Sequence, residues 1–406
     1  MQLLIVHPAE PDPRAPLTPA VAKAWIAKGL SVSVQRGVGL HAGSDDAAWE
    51  AAGCTVVEHG HTPGSAGAEA WSAADLVVCV AAPPVEAIGG MKRGAILVGM
   101  LGSAQDRALS QACVDAGVSA MDLAFLPRTS RAQAMDVLSS QANLAGYKAA
   151  VLAAAHLPKL MPMMITAAGT LRPSKVFVLG VGVAGLQAIA TAKRLGAQVE
   201  AFDVRAATKE QVESLGARFV EIDLGPGDDD VSTSGGYAKE LTEAQKQRQA
   251  EGMHKLMVAA DAVIATAAVF GKAPPMLIPQ DTVDAMPSGS VIVDLAASPA
   301  HGRGNCAATK PGETYTVEGG PTIVGTLNLP ATVPTHATQA FAGNIDHLLK
   351  DLVTPAVEAK EAKDDKPAVE AVPASLNLDL SDELFEGATV IHDGQARHEL
   401  VKAILN

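Results

Sequence analysis

The chain alternates short apolar runs with longer segments in which apolar residues recur at helical spacing. In the first 125 residues such runs predict strands, with helical segments between several of them. This alternation is typical of an α/β layer built on a mostly parallel sheet. The predicted strands are Leu3–Val6, Ser31–Gln35, Thr55–Glu58, Leu76–Val80 and Ala95–Gly99.

A second α/β unit is predicted to begin near Lys175. Its first strand is Val176–Leu179, and its second ends at the acid Asp203. Residues 225–240, GPGDDDVSTSGGYAKE, are too long for a simple connection and predict a mobile or functional loop. The later strands of this unit are predicted at Arg218–Glu221, Ala262–Ala265, Ser290–Leu295 and Thr322–Val324.

These patterns predict the domain organisation. Residues 1–130 form an N-terminal α/β domain, residues 131–174 a connecting helix and linker, and residues 175–330 a nucleotide-binding domain. The connecting helix is expected over residues 131–155, where Gly146 is one of few breakers. The helical run THATQAFAGNIDHLL predicts that residues 331–406 return to the first domain. Residues 353–374, rich in Ala, Pro, Lys, Glu and Asp, predict a flexible insertion.

The turn after the strand Val176–Leu179 has the spacing of a dinucleotide-binding site. Gly180, Gly182 and Gly185 fit G-x-G-x-x-G at the start of a helix. The first glycine permits a tight turn, the second lets the backbone approach a pyrophosphate, and the third lets helix and strand pack closely. The helix N-terminus offers N–H groups and a positive dipole end to phosphates. Asp203 ends the next strand, where its carboxylate can accept from a ribose hydroxyl.

The same acid favours NAD over NADP as the cofactor. Each charged hydrogen bond from Asp203 to a ribose hydroxyl is worth about 1.5–3 kcal/mol, and the carboxylate would repel a 2′-phosphate. Arg205, two residues later, could accommodate that phosphate. The sequence therefore predicts NAD as the preferred ligand.

Composition excludes several classes of function. The formal net charge is −13, which argues against nucleic acid or an anionic membrane surface as the main partner. The four scattered cysteines form no CxxC pair, which predicts reduced thiols in a cytoplasmic protein, and no Cys/His cluster has metal-ligand spacing. The first residues predict a strand rather than a signal peptide. The apolar stretch 149–171 contains prolines and a lysine, so no spanning helix is predicted.

Residues 127–149, PRTSRAQAMDVLSSQANLAGYKA, concentrate polar side chains ahead of an apolar helix. Helical spacing would place Gln133, Asp136 and Ser140 near one another, with Ser139 three residues after Asp136. Arg128 precedes this group. Taken alone, the segment also fits an ordinary amphipathic helix with a charged N-terminal end.

This segment and several others resemble the NAD(H)-binding component of proton-translocating nicotinamide nucleotide transhydrogenases. The other segments are GVGVAGLQAIATAKRLGAQVEAFDVR, GGYAKE, DAVIATAAVFGKAPP, VIVDLAASPAHGRGNC and DELFEGATVIHDGQARHE. The resemblance covers nearly the whole chain. It implies two Rossmann-like domains with parallel sheets and a cleft between them, as in the related alanine dehydrogenases.

The resemblance also implies partners and a location. NAD(H) would bind to this chain and NADP(H) to a separate partner subunit, while a membrane-spanning subunit would conduct protons. The chain itself would form a homodimer in the cytoplasm, held at the inner membrane through these partner subunits.

Site residues are implied position by position. Arg128, Gln133, Asp136 and Ser139 resemble the polar loop that holds the nicotinamide carboxamide and ribose, where hydride transfer demands close alignment. Tyr237, in GGYAKE, resembles the tyrosine of a mobile loop that closes over bound nucleotide. The implied cofactor-binding residues around the glycine turn are Gly180, Gly182, Val183, Gly185, Asp203, Val204, Arg205, Ala265, Thr266 and Ala267.

The chain departs from alanine dehydrogenases where those enzymes bind their organic substrate. Cys79, in CVAAP, stands where a lysine grips the substrate carboxylate, and the stretch around Met100 lacks the catalytic histidine. His7 replaces a basic residue ahead of a run that keeps Arg14 and Pro19. An amino-acid dehydrogenase needs a cation for the carboxylate and an acid/base group, and both are missing at the matched positions.

Three functions stay open at this point. The leading one is hydride transfer between NADH and NADP held on a partner subunit, coupled to proton translocation, which needs alignment rather than a general acid. The second is an alanine-dehydrogenase-like oxidoreductase acting on an unusual small substrate. The third is a non-catalytic NAD-binding regulatory module, in which Cys79, Phe270 (where a proline is usual) and Ser298 (where an acid is usual) reflect lost chemistry.

Overall fold

The strands of the protein are short and mostly apolar. The computed structural model describes residues 1–60, 65–224, 242–268, 272–357, 359 and 370–406. The strands in these ranges are β1 (Gln2–Ile5), β2 (Ser31–Gln35), β3 (Thr55–Val57), β4 (Leu76–Ala81), β5 (Ile96–Met100), β6 (Ser119–Asp122), β7 (Met164–Thr166), β8 (Gly169–Leu171), β9 (Lys175–Leu179), β10 (Gln198–Phe202), β11 (Arg218–Phe219), β12 (Ala262–Ala265), β13 (Val291–Asp294), β14 (Thr314–Thr316), β15 (Thr322–Val324), β16 (Val353–Thr354), β17 (Ser375–Leu376), β18 (Thr389–His392) and β19 (Gln395–Ala396).

Helices occupy most of the connections between these strands. Several begin at a side-chain cap, such as Thr18, Asp45 and Asp106, whose oxygens accept from the first-turn N–H groups. The helices are α1 (Pro19–Ile26), α2 (Asp46–Ala51), α3 (Ala66–Ala73), α4 (Val85–Ile88), α5 (Arg107–Ala116), α6 (Val137–His156), α7 (Val183–Arg194), α8 (Lys209–Ser214), α9 (Glu243–Val258), α10 (Gln280–Ala285), α11 (Pro334–Leu352), α12 (Glu383–Ala388) and α13 (Glu399–Leu405).

The chain divides into two compact units. The first contains Met1–Gln141 and Val333–Asn406, and the second contains Ala142–Thr332. The division falls inside α6, within the segment expected to connect the domains. We call the two parts unit 1 and unit 2.

Unit 1 is built on one eight-stranded sheet in the order β19-β18-β6-β5-β4-β1-β2-β3. The six strands from β3 to β6 in this order pair in parallel. Strand β18 is antiparallel to β6, and β19 is antiparallel to β18. Successive residues of β4 face opposite sides, so Leu76 and Val78 pack with Phe341 of α11, and Val77 packs with Leu109 of α5. Both faces of the sheet are therefore covered, which explains its continuous apolar strands.

Unit 2 repeats this arrangement: over its described residues the sheet has seven strands in the order β11-β10-β9-β12-β13-β15-β14, and β14 is the antiparallel one among them. Val176 and Val178 pack on one face with Ile189 of α7, and Phe177 packs on the other with Met257 of α9. The chain order reverses between β9 and β12. In an open α/β sheet, ligands bind beyond the carboxyl ends of the strands at such a switch point.

The predicted α/β class with parallel sheets is confirmed, and several element boundaries are close to those expected. The strands Ser31–Gln35, Ala262–Ala265 and Thr322–Val324 agree with the prediction residue for residue. Missed strands include β6, β14, β18 and β19. They are short, and β6, SAMD, is too rich in small and charged residues to stand out.

Two predicted segments differ in the structure. Helix α6 begins at Val137 rather than 131, because residues 132–135 form a separate 3₁₀ turn. The expected flexible insertion at 353–374 has hydrogen-bonded ends, since β16 pairs with β17 and Val357 pairs with Val372. Residues 358 and 360–369 lie outside the described ranges.

Candidate functional site

The glycine turn lies at the switch point of unit 2. Strand β9 ends at Leu179, and Gly180 then adopts a φ of +90°, in the left-handed region that favours glycine. Helix α7 begins at Val183, and its N-cap Gly182 offers no side-chain acceptor to the first turn. The first-turn N–H groups therefore have no side-chain cap, which is the arrangement that binds phosphate at a helix N-terminus.

Gly182 and Gly185 of the turn differ in the space around them. A Cβ at Gly185 would lie 2.0 Å from the carbonyl oxygen of Gly180, so a side chain there cannot fit. A Cβ at Gly182 would meet no atom within 4 Å, so the fold itself leaves that position open. Gly185 is thus needed for packing, whereas Gly182 leaves space through which a ligand can reach the backbone.

Asp203 lies immediately after β10 and is bound to the same turn. Its Oδ2 accepts from the Val181 N–H at 2.7 Å, and its Oδ1 accepts from the Arg205 N–H at 2.9 Å. The Arg205 guanidinium spans both oxygens, at 2.8 and 2.9 Å. Burial alone would raise the pKa of Asp203, but the hydrogen bonds from Arg205 and Val181 lower that pKa below its ordinary value. Asp203 is therefore an anion whose direction is set by the turn.

The end of β12 forms the other side of the switch point. The Thr266 N–H donates to the carbonyl oxygen of Leu179 at 2.8 Å, and its hydroxyl donates to that of Gly180 at 3.0 Å. Ala265 is buried in the sheet, while Ala267 follows beside the turn. Among the implied cofactor residues of unit 2, these contacts join Ala265–Ala267, the glycine turn and the Asp203–Arg205 pair. Val183 and Val204 are exposed at its surface.

Sequence reasoning gave no role to Asn305, which is fully buried behind this site. Its side-chain amide donates to the carbonyl oxygen of Ala267 at 2.8 Å and accepts from the Ala267 N–H at 3.1 Å. The signal available was weak. A single asparagine in a glycine-rich loop is usually an exposed turn residue, and the partner of this one is 38 residues away in the sequence.

The polar loop belongs to unit 1 and divides into two kinds of residue. Asp136 caps helix α6, since its Oδ1 accepts from the Ser139 N–H at 2.9 Å and its Oδ2 from the Ser139 hydroxyl at 2.6 Å. Arg128 and Gln133 are exposed, and their side chains have no hydrogen-bond or ion-pair partner within the part of the chain described. Two polar groups are thus fixed in place and two are available to a ligand.

Ser140 joins this group through its backbone. Its N–H donates to the carbonyl oxygen of Asp136 at 3.1 Å, and the Asp136 N–H donates to the carbonyl oxygen of Gln133 at 3.4 Å, so the three residues are neighbours as expected. They do not share one helix, because the 3₁₀ turn that contains Gln133 ends at Asp136, whose ψ is 91°, before α6 begins. The Ser140 hydroxyl donates to Asn344 of α11 at 2.7 Å.

The positions matched to the substrate site of alanine dehydrogenases hold no available cation. The guanidinium of Arg14 is buried and paired with both oxygens of Asp12, at 2.9 and 2.6 Å, and also donates to Gln141. Cys79 is fully buried in an apolar cluster, and burial raises the pKa of its thiol. An organic carboxylate would find neither a free guanidinium nor an ammonium group at these two positions.

Several expectations can be placed only in part. Tyr237 and Phe270 lie outside the described residues. The Ser298 hydroxyl contacts His301 at 3.0 Å. Over the described ranges, no group of three or more His, Cys, Asp or Glu side chains is arranged to hold a metal ion. Each helix in the same ranges is too short or too polar to cross a bilayer.

Models of known families match both halves of the chain. The description "Alanine dehydrogenase/PNT, N-terminal domain" matches residues 7–145, and "Alanine dehydrogenase/PNT, C-terminal domain" matches residues 149–399. Together these two models cover most of the sequence.

Individual proteins extend the comparison. The chain is 42% identical over 392 residues to an NAD(P) transhydrogenase subunit alpha polypeptide of Rhodospirillum rubrum, covering 95% of each chain. It is similar to the solved structure of a transhydrogenase from Sinorhizobium meliloti, with a TM-score of 0.79 and 33% identity, covering 98% of this chain and 100% of that one. An L-alanine dehydrogenase structure shares the fold, with a TM-score of 0.74 and 22% identity, covering 100% and 99%.

Proposed function

Because this chain belongs to the alanine dehydrogenase/PNT family, we propose that it is the NAD(H)-binding component of a proton-translocating NAD(P) transhydrogenase. It passes hydride between NADH on this chain and NADP on a partner subunit. A membrane-spanning partner couples the transfer to proton movement.

One contrast carries this proposal. The nucleotide site of unit 2 has an open glycine turn, an uncapped helix N-terminus and an anchored carboxylate at Asp203. In unit 1, Arg14 is neutralised by Asp12 and Cys79 is a buried thiol. Groups that bind a dinucleotide are present, while groups that would bind and activate an organic acid are not found at these matched positions. Transfer between two nicotinamides needs only the first set.

The residues of unit 2 fit a dinucleotide. The first-turn N–H groups of α7 would bind the pyrophosphate, and the Asp203 carboxylate would accept from the ribose hydroxyls. Val204 offers an exposed apolar surface next to that carboxylate. Thr266 and Ala267 border the turn from β12. When bound, the nicotinamide supplies the hydride.

The polar loop of unit 1 would orient the nicotinamide end. Arg128 and Gln133 have donors available to an amide, and Asp136 with Ser139 forms a fixed acceptor and donor pair at the start of α6. Such groups determine which face the ring presents, and alignment is the main requirement of the reaction. Tyr237 would close over the bound nucleotide.

NAD(H) rather than NADP(H) is the proposed ligand of this chain. A 2′-phosphate would approach the Asp203 carboxylate, and the guanidinium that could compensate it is already paired with that carboxylate. Selectivity then comes from repulsion of the wrong nucleotide as well as from hydrogen bonds to the right one.

A second copy of the chain is the proposed partner of the β7–β8 hairpin. Met163, Met164, Ile165 and Leu171, in or beside this hairpin, are exposed, with Ile165 at 74%. A two-stranded hairpin is marginal alone, and a group of exposed apolar side chains marks an interaction surface. The homodimer would remain at the cytoplasmic side of the membrane through the NADP-binding and membrane-spanning subunits.

Reconstituted transfer tests the proposal. The purified chain is mixed with vesicles that carry the two partner subunits, and reduction of thio-NADP by NADH is followed at the absorbance of the thionicotinamide. We expect turnover that depends on the chain. We also expect Arg128→Ala to slow it about 100-fold, because misalignment of reacting groups costs rates of this order. Arg131→Ala is the matched control, since Arg131 is exposed and paired with Asp351 and Asp382.

The remaining candidate functions give different results. Steady oxidation of NADH by the chain alone with one of a panel of keto acids would indicate an alanine-dehydrogenase-like enzyme. Tight NADH binding without transfer in the presence of both partner subunits would indicate a regulatory module. Either result would refute the transhydrogenase proposal.

A further inference from the structure

Asn305 holds both ends of the loop that leaves β12. Its Nδ2 donates to the carbonyl oxygens of Ala267 and Pro275, each at 2.8 Å, and its Oδ1 accepts from the Ala267 N–H at 3.1 Å. Its backbone carbonyl accepts from the N–H groups of Leu277 and Ile278, at 2.8 and 3.0 Å. One buried residue thus binds the start of this loop, at Ala267, and its end, at Pro275 and the two residues Leu277 and Ile278.

Thr266 and Ala267, at the start of this loop, lie against the glycine turn. Ala267 follows Thr266, whose hydroxyl donates to the carbonyl oxygen of Gly180 at 3.0 Å. A Cβ on Gly180 would lie 2.8 Å from the same hydroxyl oxygen, so the two segments approach closely. A shift of Ala267 would therefore also move Thr266, whose hydroxyl binds the glycine turn.

The residues that flank Asn305 lie against a buried carboxylate at the end of β13. Asp294 accepts from the Cys306 N–H at 2.9 Å and from the Thr309 hydroxyl at 2.6 Å. A Cβ at Gly304 would lie 2.2 Å from the Asp294 Oδ2, so only glycine fits there. The residues on either side of Asn305 are thus fixed, and the three hydrogen bonds of its own amide set the orientation of that amide.

We propose that Asn305 is a positioning residue for NAD(H) binding, which sets Thr266 and Ala267 against the glycine turn. This inference rests on the proposed function, because it names the ligand of the same site. The side chain must donate twice and accept once, which only an amide does at this size. An aspartate would place a second oxygen against two carbonyl oxygens and lose both donors.

Asn305→Asp tests the inference through NADH titration by nucleotide fluorescence. We expect the Kd to rise about 10-fold, the effect of one buried polar group left without partners, with the number of sites per chain unchanged. The matched control is Ser290→Ala. Ser290 is a buried residue just before β13, at the end opposite Asp294, and its hydroxyl donates to Pro287 at 2.6 Å. This control should bind NADH like the wild type.

A double-mutant cycle separates positioning from general loss of stability. Asn305→Ala, which removes the amide without repulsion, is combined with Thr266→Val, which removes the hydroxyl that contacts Gly180. Because both changes act on one loop, their effects on Kd should not be additive. This pair also serves if Asn305→Asp does not fold.

The outcomes are distinct. An unchanged Kd in both Asn305 variants would overturn the inference and leave the proposed function intact. Fewer sites per chain at an unchanged Kd would show a purely structural role and also overturn it. Failure of the wild-type chain to bind NADH would overturn the proposed function together with this inference.

Discussion

Asp203 and Arg205 form an ion pair beside the glycine turn. The carboxylate is oriented by the Val181 N–H, and the guanidinium closes on it from outside. A ribose hydroxyl would compete with this guanidinium for the carboxylate. A 2′-phosphate could bind the guanidinium only after the guanidinium had left the carboxylate. Under the proposed function, selectivity for NADH would therefore depend on the pair rather than on the acid alone.

Asp203→Asn should reduce the preference for NADH over NADPH. We expect the Kd for NADH to rise about 10-fold, from the loss of a charged hydrogen bond, and the Kd for NADPH to rise less or to fall, because Arg205 is released. Fluorescence titration with both nucleotides measures the ratio. Glu200→Gln is the control, since Glu200 lies on β10, the strand that precedes Asp203, and pairs with Arg218. An unchanged ratio would contradict the assignment of Asp203.

The same residue predicts a pH dependence of stability. The pKa of Asp203 is lower in the folded protein than the value of about 3.9 expected in the unfolded chain. Its contribution is therefore fully present above that value and is lost as the pH falls through the folded pKa. Urea unfolding of wild type and Asp203→Asn from pH 7 to pH 3 should show the difference between them shrinking at the acid end. A constant difference would argue against the linkage.

At the scale of elements, the glycine turn combines a packing requirement at Gly185 with open space at Gly182. The position of α7 against β9 depends on Gly185, whose missing Cβ admits the Gly180 carbonyl. Packing does not require a glycine at position 182, since a Cβ on Gly182 would meet no atom within 4 Å. The G-x-G-x-x-G spacing already predicts a different role for each glycine, and the structure adds how much space surrounds each of them.

Gly182→Ala and Gly185→Ala should therefore differ. We expect Gly182→Ala to keep the wild-type free energy of unfolding but to bind NADH weakly, because its methyl group occupies the phosphate approach. Gly185→Ala should lose about 1–3 kcal/mol of stability from overpacking as well as nucleotide binding. Urea unfolding and NADH titration of each variant provide the two measurements. Equal stability losses in both would refute the division of roles.

Helix α6 shows what the periodic pattern could and could not predict. A long helix was expected there and exists, but its start is decided by the Asp136 cap. Gly146 was expected only as a breaker. In the structure a Cβ on Gly146 would lie 2.0 Å from the carbonyl oxygen of Ala184, in the first turn of α7. That glycine is needed for a contact between helices, which periodicity along one helix cannot reveal.

At the scale of the whole molecule, both sheets contain six parallel strands in the same relative order. Strand β9 is followed by the glycine turn, whereas β1 is followed by Val6, His7 and Pro8, and the His7 N–H donates to Gln35. The shared topology supplies a switch point in each unit. The residues that follow the first strand of each unit decide whether its switch point can bind a pyrophosphate. The fold alone therefore does not establish function.

The exposed hairpin predicts the oligomeric state. Ile165→Asp places a charge among the exposed apolar side chains of β7 and β8 and should convert a dimer to a monomer, since buried unpaired charge is costly at an interface. Sedimentation velocity measures the change. Thr170→Asp, an exposed polar position on the same hairpin, tests whether the effect is specific to the apolar group. A wild-type chain that sediments as a monomer would refute the proposed dimer.

The sequence by itself determined the α/β class, most strands, the glycine turn and the acid at Asp203, because each of these depends on spacing within one or two elements. Tertiary structure alone decided which groups are available. Arg14 is neutralised by Asp12 and bound to Gln141, which is 127 residues away. Asn305 meets Ala267 across 38 residues. Such contacts form because packed strands bring distant loops together. The periodicity of residues within one helix or strand cannot predict them.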